Sequence, residues 1–449
     1  MILYHKLIFR QGLIVKIILI LFSAFYFSNV AFSITSGKER MQGDSLIYDQ
    51  VYKENIQTVR LYRKGWELSY PVIGLNSGEQ LVLSFDRLGQ DLGNYSYTFI
   101  HCDENWQQSA LIASEYITGF EENPVNDYKR SFNTYQPYVH YKISFPNDQV
   151  SFNVSGNYVL YVYQDNDRQN PVLTRRFSVS EESVMVNPQL VRPVNVNLFN
   201  TSQQINFTIN LNLLDVQDPQ QDIAAVVVQN NDWNHARWFR QPSMTRGKIL
   251  EYDDLEKNIF PGGNEYRTLD ISSVKYQSER VAAIRYLSPY YHFILHPDKP
   301  RYNDRYFYNE DLNGKYLIKN RLGTENDVDA DYVIVHFSLQ YKVPEADGDI
   351  YLYGALTNWE CTPYNKLIYN FEDKTYELDL LLKQGYYDYQ YAFVKQGDSF
   401  PDLTWVEGSH FETENDYVFY IYYRSPFDRY DRLVGTRVFN TLGGKSRTR

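Results

Sequence analysis

Four groups of residues have the types and spacing that chemistry could use. His292 and His296 lie four apart, a separation that suits two ligands of one metal ion when a helix carries them. Phe293-Ile294-Leu295 between them reads as strand, which puts both on one face but far apart along it. No cysteine or third histidine completes the set, and the pair reads as satisfied strand histidines. Asp327, Asp329 and Asp331 match the opening of a calcium loop. Tyr332 stands where that loop needs glycine and Ser338 where it needs glutamate, so they read as a solvated acidic linker. His101-Cys102-Asp103-Glu104 gathers reactive types in one loop. A nucleophilic cysteine needs a base and an electropositive setting, and two adjacent acids work against both. Trp359 with the tyrosines of 386–391 is the fourth group, an aromatic face for a sugar ring. No nucleophile elbow, phosphate-cradling glycine loop or zinc-protease helix occurs. No catalytic, cofactor-binding or metal residue is assigned, and no enzyme is expected.

The elements that would position these groups are strands. The chain has 449 residues and a net charge of −11. That balance gives no broad attraction to nucleic acid, whose binders carry a basic stripe. Tyr numbers 42 and aromatics reach 16%, a bias that favours strands and half-wet surfaces. Residues 1–33 read as a signal peptide. Lys6, Arg10 and Lys16 precede the apolar run from Ile17 to Phe27, and Ala31-Phe32-Ser33 offers small residues at the cleavage positions. Cleavage is expected after Ser33, with Ala31 as competitor and an uncleaved anchor helix as the alternative. No later apolar run approaches the length of a membrane helix, so the mature protein is expected to be soluble outside the cytoplasm. Cys102 and Cys361 are the only cysteines. They allow one long-range disulfide, but two buried free thiols fit better, because cysteine packs as a small hydrophobe.

Short strands bounded by Gly, Asn, Asp and Pro read as sandwiches. The expected class is all-β, with tandem immunoglobulin-like or E-set β-sandwich domains. The first spans residues 45–182. It includes Tyr158-Val159-Leu160-Tyr161-Val162-Tyr163, whose two faces both look covered. A middle β-rich unit follows over 183–328, with strict alternation from Gln204 to Leu213 and a buried run from Ile223 to Val228. An E-set-like sandwich spans 329–435, with Tyr417–Tyr423 as its last core strand, and 436–449 is a basic flexible tail. Gly385-Tyr386-Tyr387 repeats the rhythm of Gly156-Asn157-Tyr158: a glycine turn, then a tyrosine-rich strand. A tyrosine after such a turn bonds back to the backbone at a sandwich corner.

The third unit resembles carbohydrate-binding sandwiches of the glycogen-binding type, with Gly354, Trp359 and a late Gly-Tyr strand. The pattern also belongs to the sandwich core itself. A longer resemblance runs through the first unit. Asn55–Tyr62 leads, then Leu83-Ser84-Phe85-Asp86-Arg87-Leu88, and Tyr97–Trp106 running into Glu115–Phe120. Ser131-Phe132-Asn133-Thr134, Ser155–Leu160 and Leu173–Phe177 follow, and it continues through Asp232-Trp233 and Tyr353–Trp359. In this order the segments resemble the plug protein family of the Bacteroidetes type IX secretion system, across nearly all of the mature chain. Asp103-Glu104-Asn105 is the loosest match. The resemblance implies a periplasmic, non-catalytic protein, peripherally associated with the outer membrane. Its partner would be the giant outer-membrane β-barrel translocon, whose periplasmic mouth it closes when no cargo passes. No cofactor, nucleic acid or small-molecule substrate is implied. The family motifs read as core and turn positions, so no interface residue is carried over. The alternative is an envelope carbohydrate-binding protein acting through the C-terminal sandwich.

Overall fold

Aromatic and β-branched residues at alternating positions build strands along most of the chain, whose computed structural model describes residues 48–442. The expected leader and its cleavage after Ser33 lie outside the described residues. The protein is all-β, with its strands in paired sheets.

The first sandwich has one sheet in the order Gln50–Val51, Asp167–Ser180, Gly156–Gln164, Tyr95–Cys102, Asn123–Pro124, with Val72–Gly74 parallel to Asp167–Ser180. The facing sheet runs Ile56–Arg63, Leu81–Leu88, Tyr138–Phe145, Asp127–Arg130. Rings from the two sheets interlock between them. Phe145 meets Phe99 at 5.0 Å and Phe177 at 5.1 Å between ring centroids, and Phe85 stacks on Tyr141 within its own sheet at 5.1 Å. Each fully buried side chain of this kind contributes about 1.5–3 kcal/mol through lost apolar surface, and edge-to-face geometry adds to it.

The second sandwich pairs the sheet Met185–Val191, Ser202–Asn210, Ile249–Tyr252, Met244–Arg246 with the sheet Arg237–Phe239, Ile223–Gln229, Asp416–Tyr423, Arg432–Asn440. The third lies in the chain between the two parts of the second. Gly385–Lys395 is the centre of one of its layers, flanked by Arg267–Asp270, Tyr316–Ile318 and Gly348–Tyr353. The opposite layer runs Val281–Leu287, Tyr290–Leu295, Tyr332–Gln340, Thr375–Lys383, Ile368–Asn370.

This pairing corrects the boundaries expected at 183–328 and 329–435. Ile223–Gln229 and Asp416–Tyr423 pair in register from Ile223 opposite Tyr423 to Gln229 opposite Tyr417. Both runs bury both faces: one face packs on Ile205, Phe207 and Ile209 of the facing sheet, the other on Tyr70 and Val72 of the first sandwich, so the two runs belong side by side at the centre of the same layer. The chain therefore leaves the second sandwich at 262, builds the third, and returns. The flexible tail expected from residue 436, and Tyr417–Tyr423 as the last strand, are corrected as well. Arg432–Asn440 is a strand, held antiparallel to Asp416–Tyr423 along its whole length.

The paired turns behave as their sequences suggest. The Tyr158 hydroxyl donates to the Val154 carbonyl at 2.7 Å, and the Tyr387 hydroxyl to the Lys383 carbonyl at 2.5 Å. In each, a tyrosine two residues after glycine pins the chain four residues upstream. Gly156 has a φ of +140°, and a Cβ there would sit 2.5 Å from the His101 ring. Only glycine combines that backbone with that approach.

Candidate functional site

The reactive-looking residues of the sequence are occupied in structure. His101 is buried, its Nδ1 2.8 Å from Ser109 Oγ and its Nε2 3.2 Å from the Ser155 carbonyl. Burial holds its pKa down at about 4. Burial, with Asp103 adding to it, pushes the Cys102 thiol up to about 12. A thiol there is not a nucleophile. Cys361 is raised to about 12 too, again first by burial, and both cysteines are free. His292 stacks on His336 with a nitrogen–nitrogen distance of 2.8 Å, and His336 bonds Asp379 at 2.6 Å. His296 lies just beyond that strand. Among the described residues no group of three His, Cys, Asp or Glu side chains is placed to hold a metal ion.

Two further expectations change. Trp359 is no platform: it is 8% exposed and packs edge-on against Tyr266 and Tyr353. Tyr387, Tyr389 and Tyr391 are buried in the third core. The Asp327–Asp331 segment is not a solvated linker but a clasp between the first and third sandwiches. The Asp327 carboxylate accepts from Lys142 at 2.9 Å and lies 3.5 Å from Arg60. Asp331 accepts from the amides of Tyr135 and Gln136 at 2.7 and 3.1 Å. The folded chain brings partners about 190 residues away to these carboxylates, which the local acidic composition does not reveal.

The clasp closes around Asp86. Its carboxylate receives Lys383 Nζ at 2.6 Å, the Tyr332 hydroxyl at 2.7 Å and His140 Nδ1 at 2.6 Å. Asp86 and Lys383 side chains are each 1% exposed. Burial alone would raise the Asp86 carboxyl; Lys383 and His140 outweigh it and hold it below its usual range. Lys383 Nζ also lies 4.1 Å from the centre of the Tyr138 ring and donates to the Asp327 carbonyl at 2.8 Å.

The first and second sandwiches meet differently. Tyr70 and Val72 pack on Val226, Val228, Val418 and Tyr420. Trp106 meets Trp233 edge-on at 5.0 Å, and Trp233 lies 5.1 Å from Tyr420. Polar contacts surround this apolar centre: the Tyr422 hydroxyl donates to Asn157 Oδ1 at 2.9 Å and Tyr70 to Asp416 at 2.8 Å, while Arg429 pairs with Glu115 and Arg432 with Glu181, both at 2.6 Å, and Arg240 with Glu104.

Inside the third sandwich, Arg267 donates to both oxygens of Glu407 at 3.0 and 2.9 Å and to Asp298 at 3.0 Å. Asp298 also accepts from Tyr389 and Tyr391. Burial would raise Glu407, but Arg267 and Arg301 outweigh it and hold it at about 2. These are charges whose bonding is complete within the fold, as a buried ion network requires.

The described residues thus form an all-β body of three joined sandwiches, with Asp86, Lys383 and His140 bonded across one of the joints. Residues 56–181, the first sandwich, match the family model of the type 9 secretion system plug protein first domain. A crystal structure of a hypothetical protein from Parabacteroides merdae ATCC 43184 is 36% identical, with a TM-score of 0.85. The match covers 88% of this chain and 99% of that one. No curated protein matches the chain. The chain belongs to the type IX secretion system plug protein family. The family associates it with components of that system in the cell envelope.

Sequence reasoning missed Asp86, His140, Arg60 and Lys383 as a group. Lys383 closing a strand of alternating apolar residues was the one visible signal, and it does not name its partner.

Proposed function

We propose that this protein is a periplasmic plug that seals the mouth of the outer-membrane translocon barrel of the type IX secretion system while no cargo passes. The observation that carries this reading is the joining of the three sandwiches. Lys383 and Asp86, 297 residues apart, meet at 2.6 Å with both side chains buried, and Tyr422 meets Asn157 across the other joint. A stopper must resist deformation as one body, and joints bonded in their interior supply that stiffness. A mature chain beginning at residue 34 has a radius of gyration of about 22 Å when compact, a size that suits a pore for folded cargo. The function needs shape and no reaction step.

A plug must also leave. Contact through exposed aromatics with a polar rim suits reversible docking. Phe132 is 75% exposed, and Tyr135 clusters beside it with Tyr286 and Tyr291 at 5.1 and 5.3 Å. The buried Trp359 gives sugar binding no support. The test is affinity purification of the tagged mature protein from outer membranes. The reading expects a giant β-barrel to co-purify, and an envelope that leaks ions and becomes detergent-sensitive when the gene is removed. Absence of the barrel together with an intact seal overturns it.

A further inference from the structure

A cavity of about 120 Å³ opens where the three sandwiches meet. Its charged lining is four cations, Arg60, Arg175, Arg176 and Lys315, against two acids, Asp49 and Glu67. That surplus stands out in a chain whose net charge is −11.

Arg175 is the centre of the argument. It is 6% exposed. Its guanidinium donates to the Thr174 carbonyl and to Asn358 Oδ1, both at 2.9 Å, and more weakly to the carbonyls of Gln50 and Val59 at 3.4 Å. All four acceptors are neutral, and among the described residues no carboxylate pairs with it. A buried charge without a counter-ion is costly. A lysine would relieve the cost by losing its proton, but a guanidinium does not deprotonate in proteins.

The neighbouring arginines have carboxylate partners but leave donors unused. Arg60 Nη1 bonds Glu67 at 2.5 Å and its Nη2 lies 3.5 Å from Asp327, yet its buried Nε has no hydrogen-bond partner. Arg176 lies over the rings of Trp106 and Trp233 and pairs with Asp49 at 3.7 Å, a distance at which its buried Nε still makes no hydrogen bond. The cavity holds the liquid-volume share of about four waters, enough for one small oxyanion with a water beside it.

We propose that this cavity binds a small oxyanion, a carboxylate or a phosphate, which serves as the missing counter-ion of Arg175 and ties the three sandwiches together. Planar guanidinium forks match the oxygen pairs of both groups. Burial, with the Arg176 charge beside it, lowers the Arg175 pKa below its usual value against the opposing pull of Asp49 and Glu360, the direction expected when no carboxylate sits at pairing distance.

The test uses the isolated mature protein, so it reads anion binding apart from docking to the translocon. Sodium phosphate and sodium acetate are titrated separately at constant ionic strength while the thermal midpoint is followed. At least one should give a saturable rise, about 3 °C at a hundredfold excess over Kd. The stronger of the two tells a phosphorylated ligand from a carboxylic acid. Asn358→Asp tethers a carboxylate to Arg175 and should abolish the response. The proposal is overturned if neither anion gives a saturable shift in the unsubstituted protein, or if Asn358→Asp responds as strongly.

Discussion

The first sandwich is joined to the rest of the molecule in two ways. Toward the second sandwich the joint is apolar at its centre, built on Tyr70, Val72, Trp106, Trp233 and Tyr420, with more exposed ion pairs such as Arg429–Glu115 and Arg432–Glu181 around it. Toward the third it is charged, built on Asp86, Lys383, His140 and Asp327. An apolar joint is stabilised by area and accepts some variation in shape. A buried charged joint contributes little net stability against an apolar equivalent, but it penalises every misalignment that leaves an ion unpaired. In this protein the apolar joint supplies cohesion, and the charged joint fixes the angle at which the third sandwich stands.

The largest expected effect breaks the charged joint from one side. Lys383→Met leaves Asp86 ionised and buried without its ammonium partner, and should cost about 3–5 kcal/mol in urea unfolding. Adding Asp86→Asn to the same chain should restore more than half of that loss, since the penalty lies in the orphaned charge. If the double variant is as unstable as the single, the joint is held by something other than charge pairing.

Trp233→Ala breaks the apolar joint. Trp233 is half-buried between Trp106 and Tyr420, so the loss should be about 2–3 kcal/mol, below that of a fully buried tryptophan. Its stability difference from the unsubstituted protein should stay flat between pH 7 and pH 2, because no carboxyl depends on it. A pH-dependent difference would show that the two joints are coupled.

The strands of these joints were legible in the sequence, and the joints were not. Alternation from Gln204 to Leu213 marked the strand Ser202–Asn210, and the glycine-tyrosine rhythm marked both corners. The run Ile223–Val228 was legible as buried because it is apolar on both faces. Which strand would pair with it was hidden, since Asp416–Tyr423 lies nearly 190 residues away and reads the same. The insertion of the third sandwich into the second therefore escaped a reading that moves along the chain. The acidic segment 327–331 misled for a related reason. Its local composition is that of a linker, while its partners Lys142, Arg60 and Tyr135 sit in another sandwich. Arg432–Asn440 was obscured by the glycine-rich, basic residues that follow it.

Acid sharpens the contrast. Burial would raise the Asp327 carboxyl, but His140, Lys142 and Arg60 outweigh it and hold it at about 2. A carboxyl whose folded pKa is depressed contributes stability above its unfolded pKa of about 4, and loses it as pH falls toward the folded value. Asp327→Asn should therefore cost about 2 kcal/mol at pH 7, a difference that shrinks between pH 4 and pH 2 and vanishes below. Unfolding midpoints of the two proteins across that range measure it. A difference that keeps its full size down to pH 2 would assign the loss to packing.

The smallest effect comes from the same charged joint at its rim. Lys129 pairs with Glu325 across the first and third sandwiches, but both side chains are half-exposed, at 58% and 50%. Water and salt screen such a pair, and fixing two long side chains offsets the attraction. Lys129→Ala should leave the unfolding midpoint within experimental scatter at physiological salt, although it removes an ion pair from the joint that Lys383→Met disrupts. The two substitutions delete one lysine each, and the difference between them reports chiefly the burial of Lys383 and the contacts that burial allows. A Lys129→Ala loss comparable with that of Lys383→Met would mean that the joint responds to the number of its charges, and the role assigned to the buried Asp86 would fall.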